Sequence, residues 1–536
     1  VLIEPGTMWP PPGHWTLRAY WQSHRAWWSG DLTALRTRTP TTAPGGYWAR
    51  MAYKPGERQV HVPIAADIAR TSADLVAGDT PHIDWEDQQA EPAKPADGEA
   101  PAKPKKSPVQ EAWDGIAQRI GFANKLLEGV ETGSAVGGWY LKPAWDERLG
   151  KRPLLTIVAG DQALPTFLFG ELLAVTFVTE LPAPADWTQR RDSTEVWRWL
   201  EHHEPGQIRH ELWRGTLTHI GSPQPLADHP TTKQFLPVID TTPIKPGLLV
   251  EFVPNNLPNP LDTTVPLGRS DFQGCETLFD ALDEAMASWM RDIELAKARI
   301  LASEDMLTPT AGRGGILGGL FGKGNTTAAK AFDVDAKVFV PLNMPVEDSD
   351  GKPVPIQLIQ PEIRFEAHER TVLQLIEQIV SRAGYAPQSF GMHVEGQLSG
   401  TAMRRRAEKS YRTRDRKRRY LRPALESIAE TLMRLNAVLN PGAPVPDGPP
   451  TLVWREADQA DPLEMAQVIE LLTRARAASR EVRVRQAHPD WDDTQVQEEV
   501  ARLAKEDEEL NALSPLLGPT EDDHPEDVPP PKPDEE

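Results

Sequence analysis

Eleven cations crowd residues 404–422: Arg404, Arg405, Arg406, Lys409, Arg412, Arg414, Arg416, Lys417, Arg418, Arg419 and Arg422, opposed only by Glu408 and Asp415. Such a run can neutralise phosphates or pair with carboxylates. A solvated helix face is the bland reading of any charge run. Here, though, the cations cover every face, and a helix that is polar all round needs partners to be stable.

Catalytic patterns fail in detail. A phosphate-binding Walker loop needs Gly, four residues, then Gly-Lys-Ser/Thr. Around Gly322-Lys323 the first position is Leu317 and the hydroxyl position is Gly324. The pairs His203-Glu204, His210-Glu211 and His368-Glu369 return no His four residues after the first, so a zinc-protease helix is not expected. His202, His203, His210 and His219 read as strand and turn residues. In Gly396-Gln397-Leu398-Ser399-Gly400 the serine is displaced by one from a nucleophile elbow. Asp348-Ser349-Asp350-Gly351 resembles part of a calcium loop, but Val346 and Gln357 stand at the first and twelfth ligand positions, so it reads as a turn. Cys275 is the single cysteine and reads as a small apolar packing residue. No enzyme, cofactor or metal is expected.

The elements that must position these residues follow from pattern and composition. A chain of 536 residues suggests two to four domains. Its net charge of −20 argues against a tight grip on DNA and is neutral about DNA passing by. No run approaches a membrane span, and the first twelve residues do not read as a secretory signal. Proline-rich, charged residues 86–108 and the acidic tail 513–536 are expected to be disordered. Residues 15–35 and 109–128 look helical. Residues 153–181, 195–200, 209–217 and 248–253 look like strands, giving an α+β region. From Gly274, Leu278, Leu282, Met286, Trp289, Ile293, Ala296 and Ile300 recur at helical steps, predicting a helix of about 46 Å. Strand candidates at 336–340 and 356–359 precede a second helix carrying Val372, Leu375, Ile376, Ile379 and Val380. After an irregular segment at 384–400 comes a long helical stretch, 401–440, which Pro423 is expected to kink or break. A final helical part covers 462–512.

This order resembles the tailed-bacteriophage portal protein family. Residues 250–301 carry the most specific likeness: Leu267-Gly268-Arg269-Ser270-Asp271 is similar to the family's LGxSD-type turn, and residues 280–284 (DALDE) to the start of its first stem helix. Residues 398–403 (LSGTAM) are similar to the start of the helix after its tunnel loop. Residues 61–81 are similar to its early helix ending at a G-[DE]-x-P corner. From residues alone, Asp271 is expected to cap the first stem helix, with Glu276, Asp280, Asp283 and Glu284 complementing its dipole.

The resemblance implies an elongated α+β subunit. Its parts are an N-terminal and wing region (1–272), a first stem helix (273–305), a small β-containing clip (306–361), a second stem helix (362–384), a tunnel loop (385–400), a long helix (401–440), and a linker with helical crown (441–512). It also implies a ring, typically of twelve copies, at one capsid vertex of the virion, assembled in the host cytoplasm. Its partners are the major capsid protein, terminase, a head-tail adaptor and double-stranded DNA in the channel. Stem packing is then expected from Leu282, Trp289 and Ile293, and channel contact from Gln388, Ser389, Phe390, Met392, His393 and Gln397. The helix with Arg404, Arg405, Arg406, Arg412, Arg416, Arg418 and Arg419 is expected to meet carboxylates of a neighbouring subunit first and DNA phosphates second. Two other classes stay open: a nucleic-acid-binding regulator using that helix, and an enzyme of unknown type.

Overall fold

A computed structural model of the chain describes residues 3–12, 15–54, 56–85, 107–183, 195–296, 299–303, 339–342, 346–347, 353–354, 356–359, 363–392, 400–454, 462–488, 491 and 493–513. The insert after Trp85, the tail after Leu513, the glycine-rich stretch, the 348–351 turn, most of the clip, His393 and Gln397 lie outside these residues. Two compact units result: Val1–Glu86 with Pro108–Arg455, and Asp87–Ser107 with Glu456–Glu536.

The larger unit begins with four helices: α1 (Trp15–Ser29), α2 (Leu32–Arg38), α3 (Tyr47–Met51) and α4 (Ile64–Ala77). The expected helix at 15–35 breaks where Gly30 takes positive φ and the Asp31 side chain accepts from Thr33 N to begin α2. α4 buries Ile64, Ile68, Ala69, Ser72, Ala73 and Val76 at three- and four-residue steps, the apolar face that holds it in the core. Strand β1 (His82–Asp84) pairs with β16 (Thr451–Val453). Helices α5 (Pro108–Ile120) and α6 (Phe122–Val136) follow, separated at Gly121.

Strands β2 (Gly138–Ala144), β3 (Leu154–Ala159) and β10 (Glu251–Pro254) form an antiparallel sheet in the order β10-β2-β3. A second antiparallel sheet runs β4 (Ala163–Leu168), β5 (Glu171–Leu181), β6 (Glu195–Glu204), β7 (Gln207–Thr216), β8 (Ser222–Gln224), with β9 (Val238–Asp240) also on β7. Alternation explains β7: Ile208, His210 and Leu212 turn inward while Gln207, Arg209 and Glu211 do not.

Helix α7 (Glu276–Leu295) is 20 residues long, about 30 Å, and corrects the longer expectation. Its apolar steps continue through Ile300, but Arg299–Ser303 is strand β11, parallel to β12 (Phe339–Leu342) and antiparallel to β15 (Ile356–Ile359). A short apolar run carries no period of its own, so pairing partners decided it. The small hairpin β13 (Val346–Glu347) and β14 (Pro353–Val354) brackets the expected turn. Helix α8 (Phe365–Ala383) then returns antiparallel to α7. Cys275 Sγ, at the start of α7, lies 3.9 Å from Ile379 O near the end of α8, and Trp289, near the end of α7, stacks on residues at the start of α8.

Helix α9 (Gly400–Leu439) runs unbroken through Pro423, so the expected break does not occur. Pro423 sits on the exposed side, as does Arg419, whose carbonyl loses its helical donor. Leu421, Ala424, Leu425 and Ile428 pack the opposite side. In the smaller unit the final helical part resolves into α10 (Pro462–Arg474), α11 (Arg480–Ala487) and α12 (Asp493–Leu513). There α11 packs on both neighbours and buries Val484, while α12 buries Val496.

Candidate functional site

The residues singled out by sequence gather around the roots and lengths of α7, α8 and α9. At the root, Gly268 packs so closely on Gly137 that a Cβ would come 1.8 Å from the Gly137 carbonyl oxygen. That contact seats the LGRSD turn against α6. Contrary to expectation, Asp271 does not cap α7. The N-cap is Cys275, which makes no side-chain cap bond. Instead the Asp271 carboxylate is buried and accepts from Ser134 Oγ (2.6 Å), Asn255 Nδ2 (2.9 Å), Tyr385 OH (2.8 Å) and Lys417 Nζ (2.5 Å). Lys417 also donates to Ser72 Oγ (2.7 Å) and Tyr385 OH (3.0 Å). One carboxylate thus ties α4, α6, α8's end and α9 to the start of α7. Burial pushes the Lys417 ammonium down and Asp271 opposes it, while burial and Asp271 hold the Tyr385 phenol protonated, well above its ordinary range.

The acidic cluster on α7 also reaches across the fold. Asp280 accepts from the N–H groups of Tyr47 (2.5 Å) and Trp48 (3.0 Å), capping the start of α3 from another helix. Burial raises its pKa, against these two donors. Asp283 accepts from Trp48 Nε1, from Val62 N and from His61 Nδ1, all at 2.8 Å. Glu276 meets His24 Nε2 at 2.9 Å and Gly274 N at 2.7 Å. Cys275 is fully buried, and its thiol is pushed up to about 12 by burial, in keeping with a packing residue.

Farther along, Leu282 is fully buried, Trp289 is half-buried and Ile293 is 40% exposed. Trp289 stacks on His368 with near-parallel rings and meets Phe365 edge-on. Asp292 joins His368 Nε2 and Arg364, each at 2.9 Å, and hydrogen bonding to His368 first, then Arg364, lowers its pKa.

Between α8 and α9, Gly384 takes φ of +101° and its carbonyl accepts from Thr413 Oγ1 (2.6 Å). Ser410 Oγ meets Ala386 N (2.9 Å) and Ser389 Oγ (2.8 Å). Gln388, Ser389, Phe390 and Met392 are half-buried, with Phe390 against Tyr385. On α9 the side chains of Arg404 and Arg405 lie outside the described residues. Arg406, Arg412, Arg416 and Arg419 are exposed, and Arg412 pairs with Glu408 (2.5 Å). Arg418 is a correction: it is buried, donates to Val76 O (3.1 Å) and stacks over Trp454, so it is spent inside its own chain. Lys417 is spent likewise, and Lys409 donates to Ser381 at the end of α8. Sequence reasoning missed the Asp271–Lys417 pair, because 146 positions separate the partners and no local pattern links them.

The profile of a family described as phage portal protein, SPP1 Gp6-like, matches residues 245–512, half of the 536 residues. No curated protein matches the chain. Among solved structures, the chain is similar to one from the neck of an empty GTA particle computed with C6 symmetry (12% identity, TM-score 0.41, covering 90% of this chain and 95% of that one). Another comes from the neck of a native GTA particle computed with C12 symmetry (12%, 0.37, 79% and 88%). A third comes from the virion of a native gene transfer agent particle (13%, 0.38, 84% and 98%).

Proposed function

This chain belongs to the phage portal protein family, SPP1 Gp6-like, and from that premise we propose that it is one subunit of a ring at a capsid vertex. The ring is the conduit for DNA packaging and ejection, with a structural and not a catalytic role. In this reading α7 and α8 are the stem helices, the strands between them belong to the clip, and residues 385–400 form the tunnel loop. Residues 1–272 supply the wing and 441–512 the crown. Terminase and a head-tail adaptor dock to the ring, and the major capsid protein surrounds it. No described helix is long and apolar enough to cross a membrane.

The observation that carries the reading is the antiparallel α7–α8 pair, rooted at one end by Asp271 and Lys417 and continued at the other by the β11-β12-β15 sheet. Such a spoke exposes long helical faces that suit repetition around an axis. Native mass spectrometry at micromolar concentration and moderate salt is expected to show a closed ring near twelve subunits. A monomer or dimer alone would defeat the proposal. Shortening residues 388–397 is expected to leave rings intact and to lower the yield of stable, filled particles, because a loop of little charge lining the channel would touch DNA without gripping it. Wild-type yields from that deletion would take the loop out of the mechanism.

A further inference from the structure

We propose that successive copies join by seating the outer face of α8 of one copy in a groove between α7 and the α3–α4 connection of the next. This rests on the ring reading above and names its two mating surfaces. The groove measures 520 Å³. Met51, Val60, Met290 and Leu295 make its apolar floor. Arg50, Lys54, Arg58 and Arg291 rim it, against the carboxylates Glu57, Glu284 and Glu294. Each carboxylate already has a rim cation: Lys54–Glu57 at 2.9 Å, Arg50–Glu284 at 2.5 Å, and Arg58–Glu294. Arg291 shares Glu57 with Lys54 at longer range, and four rim cations against three carboxylates leave the groove a positive charge in a chain of net −20.

The matching surface is acidic with an apolar centre. Arg364, Phe365 and His368 turn towards α7, where they meet Trp289 and Asp292. At about 100° per residue, Glu366, Arg370, Leu373 and Glu377 fall on the far side of α8, with Glu369 beside them. All five are exposed, and Leu373, at 48%, is a large apolar residue in the middle of three carboxylates. On α7, Arg291 stands about 200° from Trp289, so the groove opens away from α8. The two surfaces therefore lie on different sides of the α7–α8 pair, as a head-to-tail contact requires. Leu373 meets the apolar floor, and Glu366 and Glu369 meet Arg291 on a polar rim.

The test is charge reversal in the full chain, read by native mass spectrometry with far-UV circular dichroism as the folding check. Arg291→Glu alone and Glu366→Lys with Glu369→Lys alone should each raise the concentration for half-assembly at least roughly tenfold, because like charges then face each other. The combined variant restores opposite charges at every junction and should assemble again. Rings from either reversal at wild-type concentration, or no recovery in the combined variant, would overturn the proposal. Intact rings that lose binding to a short DNA duplex would assign the groove to DNA and also overturn it. A wild-type chain that forms no ring would instead sink the ring reading itself.

Discussion

In the first half of α7, Glu276, Asp280 and Asp283 are buried, and each is held by donors from α1, α3, the α3–α4 connection or its own approach turn. In the second half, Trp289 is half-buried while Ile293 and Leu295 are 40% and 36% exposed. The same helix thus carries charge inside and apolar groups outside, the reverse of an ordinary surface helix. The difference teaches where the chain is complete. Its root satisfies its carboxylates within one copy, and its far length leaves apolar surface exposed.

The sharpest break in this comparison is at the root. Lys417→Ala leaves the Asp271 carboxylate buried without its cation, and a loss of about 3–5 kcal/mol is expected in urea unfolding. If Lys417→Ala unfolds at the wild-type midpoint, the root is not what fastens α9. Replacing both, as Asp271→Asn with Lys417→Met, should recover part of that loss, since no unpaired charge remains.

A second effect belongs to the far half. Trp289→Asp sets a carboxylate beside Asp292 and removes the stack on His368, and roughly 1–3 kcal/mol of stability should go with it. Ring formation should fail while far-UV dichroism persists. An intact ring from this variant would mean that α7's far half takes no part in assembly. His368→Ala should do less, about 1 kcal/mol, with assembly weakened but present by the same mass measurement.

The smallest effect is a contrast in pH. Burial raises the folded pKa of Asp280, so the folded state takes up that proton first, and its contribution to stability improves as pH falls through the raised value. His368 and Arg364 lower that of Asp292, so its contribution is present above the ordinary carboxylate range and lost as pH falls through the lowered value. Urea midpoints between pH 6 and pH 3 should therefore fall more steeply in Asp280→Asn than in wild type, and less steeply in Asp292→Asn. Parallel slopes would remove the electrostatic difference between the two halves.

Periodicity and turn chemistry made much of this architecture legible. The strands of residues 153–181 appear where β-branched and aromatic content put them, α8 where its spacing put it, the strand Ile356–Ile359 at its candidate position, and the helix after His61 where the family resemblance put it. These signals are local, because a side chain's direction follows from backbone repeat alone. What failed was non-local. Ile300 keeps step with α7 yet lies in β11, because partner strands outbid the helix for a short apolar run. Pro423 stays inside α9 because packing on the opposite face holds the helix through it. Asp271 had the position of a cap and became a buried counter-ion. Arg418 and Lys417 read as part of an exposed charge run and lie inside.

By itself the sequence determined the α+β class, the order of elements and the family likeness, because each rests on neighbours along the chain. Only the tertiary structure decided which charges are spent within one copy and which stay exposed. A carboxylate chooses among donors by distance in space, and the donors that reach Asp271, Asp280 and Asp283 come from positions up to 235 residues away.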